Sequence, residues 1–182
     1  MLGYVFLRYI KNQFQKVNSK SYLLLLGFSI IVMFILIFTY KKKKVTMHEL
    51  IANEFLIVYT VFVLLSTVFC RERISDYQIQ LIPFWSWIEA INGKHMLRFE
   101  IMLNVVMWIP FGALLPICIR RYFKNRVIIS VIIYFFLVLG IEGLQFILKR
   151  GLCESDDIIN GFIGFNIGIL IFQFLKKNCK YK

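Results

Sequence analysis

The segment KRGLCESDDIING, residues 149–161, places Arg150, Glu154, Asp156 and Asp157 within eight residues, between two long apolar runs. Side chains of these types, this close together, support a short set of chemistries. Carboxylates beside a guanidinium can hold a divalent cation and a phosphate, or act as general acid and base. They can equally form a static ion pair, or cap the helix that follows, because acids favour the positive end of a helix dipole. More specific machinery is missing from the sequence: there is no phosphate-binding glycine loop, no G-x-S-x-G and no H-E-x-x-H. The four cysteines, Cys70, Cys118, Cys153 and Cys179, form no C-x-x-C pair, so no zinc or redox motif is present and no metal ligands are assigned. The cofactor stays open, with the acidic cluster as the place suited to a divalent cation.

More polar residues lie inside the apolar runs on either side. Asn104 stands about one turn inside one run. Glu142 and Gln145 stand in the last turns of the next, at i and i+3, on one side of a helix. Asn160 follows the two aspartates by one turn. Ionisable residues at membrane depth are costly and are functional suspects by default. A carboxylate as deep as Glu142 must be protonated or paired, with Arg150 or Arg98 as the candidate partner, or else serve a structural role. Asn104 and Gln145 also suit plain interhelical hydrogen bonding. Asn104, Glu142, Gln145, Arg150, Glu154, Asp156, Asp157 and Asn160 therefore form one candidate polar cluster at a single depth.

The elements that must position this cluster are membrane helices. Hydrophobic residues make up 59% of the 182 residues, against 18% charged, and the mean hydropathy is +0.72. A soluble domain of this size could not bury that much apolar surface. Five apolar runs, near 22–40, 51–70, 101–119, 127–148 and 158–175, are each long enough to cross the hydrocarbon core as a helix. The expected fold is thus all-α, a single integral membrane helical bundle of about five transmembrane helices. A short interfacial or re-entrant segment at 77–95 completes it, with Pro83, Trp85, Trp87 and an Asn92-Gly93 turn. Residues 1–20 read as an amphipathic interfacial segment rather than a cleavable signal.

The net charge of +12 sits in clusters that flank the apolar runs, as in membrane anchoring, and no nucleic-acid module is present. With five spans, the tail 1–20, segment 71–100 and loop 149–157 share one face, called here the motif face. Lys and Arg are nearly balanced between the faces. They are densest next to the helix ends on the other side, which favours a cytoplasmic C-terminus and an outward motif face. Gly164-x-x-x-Gly168 marks a close-packing helix face, and Pro110 interrupts the third run.

Three blocks, taken in order, resemble the VanZ-like family of bacterial membrane proteins. They are LIPF (Leu81–Phe84, with Pro83 and Phe84), NVVMWIPFG (Asn104–Gly112, with Pro110 and Gly112) and IEGLQFILKRGLCESDDIINGFIG (Ile141–Gly164). Together with Gly168 they cover residues 78–168. Gln80, Trp108 and Gly161 stand where the family usually has Asn, Phe and Asn. The resemblance implies a multi-pass protein of the bacterial cytoplasmic membrane and cell envelope. It also implies a contribution to resistance against teicoplanin-type glycopeptides, the trait linked to the founding member. It supplies no reaction, so enzymatic activity stays open. An envelope lipid or peptidoglycan-precursor ligand would meet the polar cluster, with Arg150 as the anion contact. The alternatives are a membrane enzyme acting on lipid-linked precursors, and a non-enzymatic scaffold that docks a partner through the glycine face of the last span.

Overall fold

Apolar runs of this length resolve into helices because hydrocarbon leaves backbone groups no partner outside the chain. The computed structural model describes residues 46–69 and 71–178, preceded by Gly27, Ile30 and Ile31. Among the described residues the elements are α1 (Met47–Leu64) continued by a π-helical turn (Leu65–Phe69), β1 (Ile79–Gln80), α2 (Trp85–Ile91), α3 (His95–Cys118), α4 (Arg126–Leu148), β2 (Cys153–Glu154) and α5 (Ser155–Asn178). Four helical stretches, Met47–Phe69, His95–Cys118, Arg126–Leu148 and Ser155–Asn178, are long and apolar enough to cross a membrane. The spans expected at 51–70, 101–119, 127–148 and 158–175 correspond to these four. The largest boundary change is at α3, which begins six residues early because the polar turn around His95 and Arg98 is already helical. The span expected at 22–40 and the amphipathic segment at 1–20 lie outside the described residues. The interfacial segment contains a helix, α2, and also a two-residue strand that periodicity could not reveal.

The chain divides into two compact units, residues 1–78 with 144–152 and residues 79–143 with 153–182. In the first, α1 opens with a capping box: Glu49 N–H donates to Thr46 Oγ1 at 3.4 Å, and Thr46 N–H donates to Glu49 Oε2 at 2.8 Å. The far end of α1 loosens into the π-helical turn, which leaves carbonyls in need of donors.

In the second unit, α3 and α5 pack side by side, and glycines set their distance. A Cβ added at Gly164 would collide with the Val105 carbonyl, and one at Gly168 with the Ile109 carbonyl. A Cβ at Gly112 would collide with the Phe165 carbonyl. The face Gly164-x-x-x-Gly168 is therefore used within the chain against α3, which removes it as a surface for a separate partner. Helix α4 joins this pair through Tyr134, which is fully buried. The Tyr134 ring meets Trp108 edge-on at 4.8 Å and tilts against Phe165 at 4.8 Å. Large apolar side chains such as Phe136 and Leu170 point outward, 76% and 63% exposed, as lipid-facing residues do.

Because α3 and α5 meet through backbone rather than side chains, Gly164→Ala will lower thermal stability in detergent by about 1–3 kcal/mol, the usual cost of overpacking. Gly140→Ala, where an added Cβ meets nothing within 4 Å, will leave it unchanged or raise it slightly. Equal melting temperatures for the Gly164 variant and the parent protein would refute the close packing.

Candidate functional site

The two aspartates of the charged segment open α5, and their carboxylates accept hydrogen bonds from other elements. Asp156 is 1% exposed. Its Oδ1 accepts the Phe84 N–H at 2.6 Å, and its Oδ2 accepts the Ser86 N–H at 2.8 Å and the Ser86 hydroxyl at 2.5 Å. These donors form the N-terminus of α2, seventy residues upstream. The reason lies in the local chain. Pro83 restricts the backbone before it, and Phe84 sits in the left-handed region with φ 62°, a conformation costly for a non-glycine residue. No side chain of α2 caps it. Asp156 supplies that cap from another helix and holds Phe84 in its strained conformation. Three donors on one carboxylate offset the cost of burying its charge.

The neighbouring acid is used in the same way. Asp157 Oδ1 accepts a short hydrogen bond from the Asn104 amide on α3. One turn on, the Asn160 amide oxygen accepts the Trp87 indole N–H at 2.8 Å. Tyr134 on α4 donates its hydroxyl to the Ile158 carbonyl at 2.7 Å. The first two turns of α5 are thus bonded to α2, α3 and α4 by four residues in five positions.

Glu142 is 4% exposed near the end of α4. Its carboxylate accepts the Glu154 backbone N–H at 3.0 Å and hydrogen-bonds the Cys153 thiol. This draws the chain at 153–154 to α4, where β2 pairs in parallel with β1, Ile79 opposite Cys153 and Gln80 opposite Glu154. Gln80, one of the departures from the family pattern, therefore faces Glu154 across the strand pair. Burial, reinforced by the charges of Glu142, Asp157 and Glu154, pushes the Cys153 thiol above its ordinary pKa. A thiol held protonated is a poor nucleophile and a poor metal ligand.

Gln145 and Arg150 belong to the first unit, and there they answer the loosened end of α1. Gln145 Nε2 donates to the Thr67 carbonyl at 3.3 Å. Arg150 donates to the Phe69 carbonyl, and to the Arg71 carbonyl at 3.2 Å. Helix α4 ends on Lys149 at φ 52°, with the Arg150 N–H donating back to the Gln145 carbonyl at 2.8 Å. Gly151 follows at φ 120°, packed so closely under Arg71 that a Cβ would lie 2.5 Å from its guanidinium. Arg98, the other candidate partner for Glu142, donates to the Ala90 carbonyl at 3.1 Å.

Each acid with a described bond thus faces N–H, O–H or S–H donors, not a common empty centre. Among the described residues no three His, Cys, Asp or Glu side chains are placed to hold a metal ion. Ser86, Trp87, Tyr134 and Cys153 are the partners that sequence reading missed. Tyr134 carried a faint signal, since it lies two turns before Glu142 on the same side of α4. The departures Trp108 and Gly161 touch each other: a Cβ at Gly161 would lie 2.6 Å from the Trp108 ring and 2.6 Å from the Tyr134 hydroxyl. The larger indole occupies the space that a side chain at 161 would need.

Two outcomes test this geometry. In Asp156→Asn the buried amide presents hydrogens to hydrogen-bond donors, so amides 84–91 will lose protection from hydrogen exchange by about tenfold or more. Unchanged protection would contradict the cap. For Cys153, a raised pKa means less thiolate at pH 8 than an ordinary thiol has. Its alkylation, read at peptide level, will be slow there and still climbing above pH 9. Glu142→Gln will shift that profile to lower pH, and an unshifted profile would remove Glu142 from the thiol's surroundings.

The family model described as VanZ/LLP1 matches residues 22–176 of the chain. No curated protein and no solved structure matches it.

Proposed function

The chain belongs to the VanZ/LLP1 family, it is a multi-pass membrane protein, and we propose that it lowers bacterial susceptibility to teicoplanin-type glycopeptides from within the cytoplasmic membrane. The reading places the motif face outward and the C-terminus in the cytoplasm. The working part is the interfacial helix α2 with its supporting polar residues, Asn104, Asp156, Asp157 and Asn160, beside Glu142 and Glu154. The observation that carries the proposal is the use of Asp156, a buried carboxylate, to hold a seven-residue helix at the end of the bundle. A helix of that length does not form by itself. A protein that invests a buried charge in fixing it needs that helix in one place. Trp87 and the exposed Ile88 and Ile91 give α2 the amphipathic surface suited to the headgroup layer. An envelope lipid or a peptidoglycan precursor presented there would meet the Trp87 indole with Ile88 and Ile91, on a helix that the buried polar residues hold in place. Arg150, bonded to backbone carbonyls, contributes in this reading by supporting α1 and not as an anion contact.

Expression of the parent protein in a susceptible host will raise the teicoplanin concentration needed to stop growth. Asp156→Asn, Asp157→Asn and Glu142→Gln will each abolish that rise while membrane levels stay normal. Full protection in all three variants would sink the proposal.

A further inference from the structure

At the membrane end opposite the polar cluster, the start of α4 and the end of α5 border an open groove of about 670 Å³. Its charged lining is entirely basic: Lys124, Arg126, Lys176 and Lys177, with no acid among the lining residues. Among the described residues none of these four cations forms an ion pair. Concentrating like charges without counter-charge costs energy unless an anion relieves it. The Arg126 guanidinium lies over the Phe172 ring, 5.3 Å from its centroid, an arrangement that holds its plane and leaves N–H edges for a second partner. Gln173 adds an amide at the same level.

The groove also has an apolar side. Val127, Ile128 and the buried Phe172 line it. Ile128 is 60% exposed, and Ile132, one turn deeper on the same side of α4, is also exposed. Leu170, three residues before Gln173 on α5, is exposed as well. Cations at the helix ends with exposed apolar side chains leading down from them match a phosphate joined to acyl chains better than a free anion. Basic pockets between spans are known physical solutions for anionic headgroups.

We propose that this groove binds the headgroup of an anionic phospholipid, with Lys124, Arg126, Lys176 and Lys177 around the phosphate and the acyl chains running along Ile128 and Leu170. The site is separate from the polar cluster and does not depend on the glycopeptide reading.

The test is lipid retention by the full-length protein in detergent, read by native mass spectrometry. The probes are dioleoyl phosphatidylglycerol, dioleoyl phosphatidylcholine and inorganic phosphate. The parent protein will keep phosphatidylglycerol in preference to phosphatidylcholine, and millimolar inorganic phosphate will not displace it. K124Q/K176Q/K177Q will weaken retention by about a hundredfold, at roughly fivefold per cation. These lysines are exposed, so the variant keeps its fold, and K124R/K176R/K177R will retain the lipid. K42Q/K43Q/K44Q, with the same loss of charge elsewhere in the sequence, will change retention less than threefold. Undiminished retention in the glutamine triple variant, or an equal loss in the 42–44 variant, would overturn the site. Displacement by inorganic phosphate, or loss of retention in the arginine variant, would overturn its assignment to a lipid.

Discussion

The carboxylate of Asp156 is the fixed point of the second unit. It stands at the first turn of α5, yet its hydrogen bonds go to Phe84 and Ser86 at the start of α2. An unpaired carboxylate at 1% exposure would be untenable. The orphan N–H groups at the buried start of a short helix would be nearly as costly. Each problem solves the other, and the solution fixes where α2 lies. The neighbouring bonds repeat the principle, with Asp157 taking the Asn104 amide and Asn160 taking the Trp87 indole.

That arrangement depends on how closely α3 and α5 approach. Gly112, Gly164 and Gly168 bring the two backbones together. Only at that distance does Asn104, on α3, reach the start of α5. The glycine face and the acids are therefore one device: the first sets the separation, and the second uses it. Tyr134 closes the same core from α4, with its ring among Trp108 and Phe165 and its hydroxyl on the Ile158 carbonyl. In the first unit, Gln145 and Arg150 do for the end of α1 what Asp156 does for α2, with the charges reversed: donors are supplied to carbonyls instead of acceptors to N–H groups.

Much of this could be read from the residues alone, and the limits have physical causes. Apolar runs announce spans because bilayer thickness fixes their length, so four of the five expected spans correspond to helices found here. That Asn104 and Asp157 lie level with each other followed from counting residues along helices. Partners did not, because hydrogen bonds between residues about seventy positions apart leave no periodic trace. Asp156 and Asp157 look like ordinary first-turn caps, and only the fold shows that Asp156 caps a different helix. Arg150 looked like an anion contact because charge suggests counter-charge, whereas a helix that ends in a π-helical turn offers carbonyls. The pairing of Ile79–Gln80 with Cys153–Glu154 is two residues long, too short for alternation to register.

The central claim is that Asp156 and Ser86 act as one unit that fixes α2. A double-mutant cycle of Ser86→Ala and Asp156→Ala, read by unfolding in mixed micelles, tests it most directly. Contacting residues couple by about 0.5–3 kcal/mol, and a bond to a buried charge belongs in the upper part of that range, at about 1.5 kcal/mol or more. Coupling of that size is the predicted result. Additive effects, with coupling within about 0.3 kcal/mol of zero, would contradict the account.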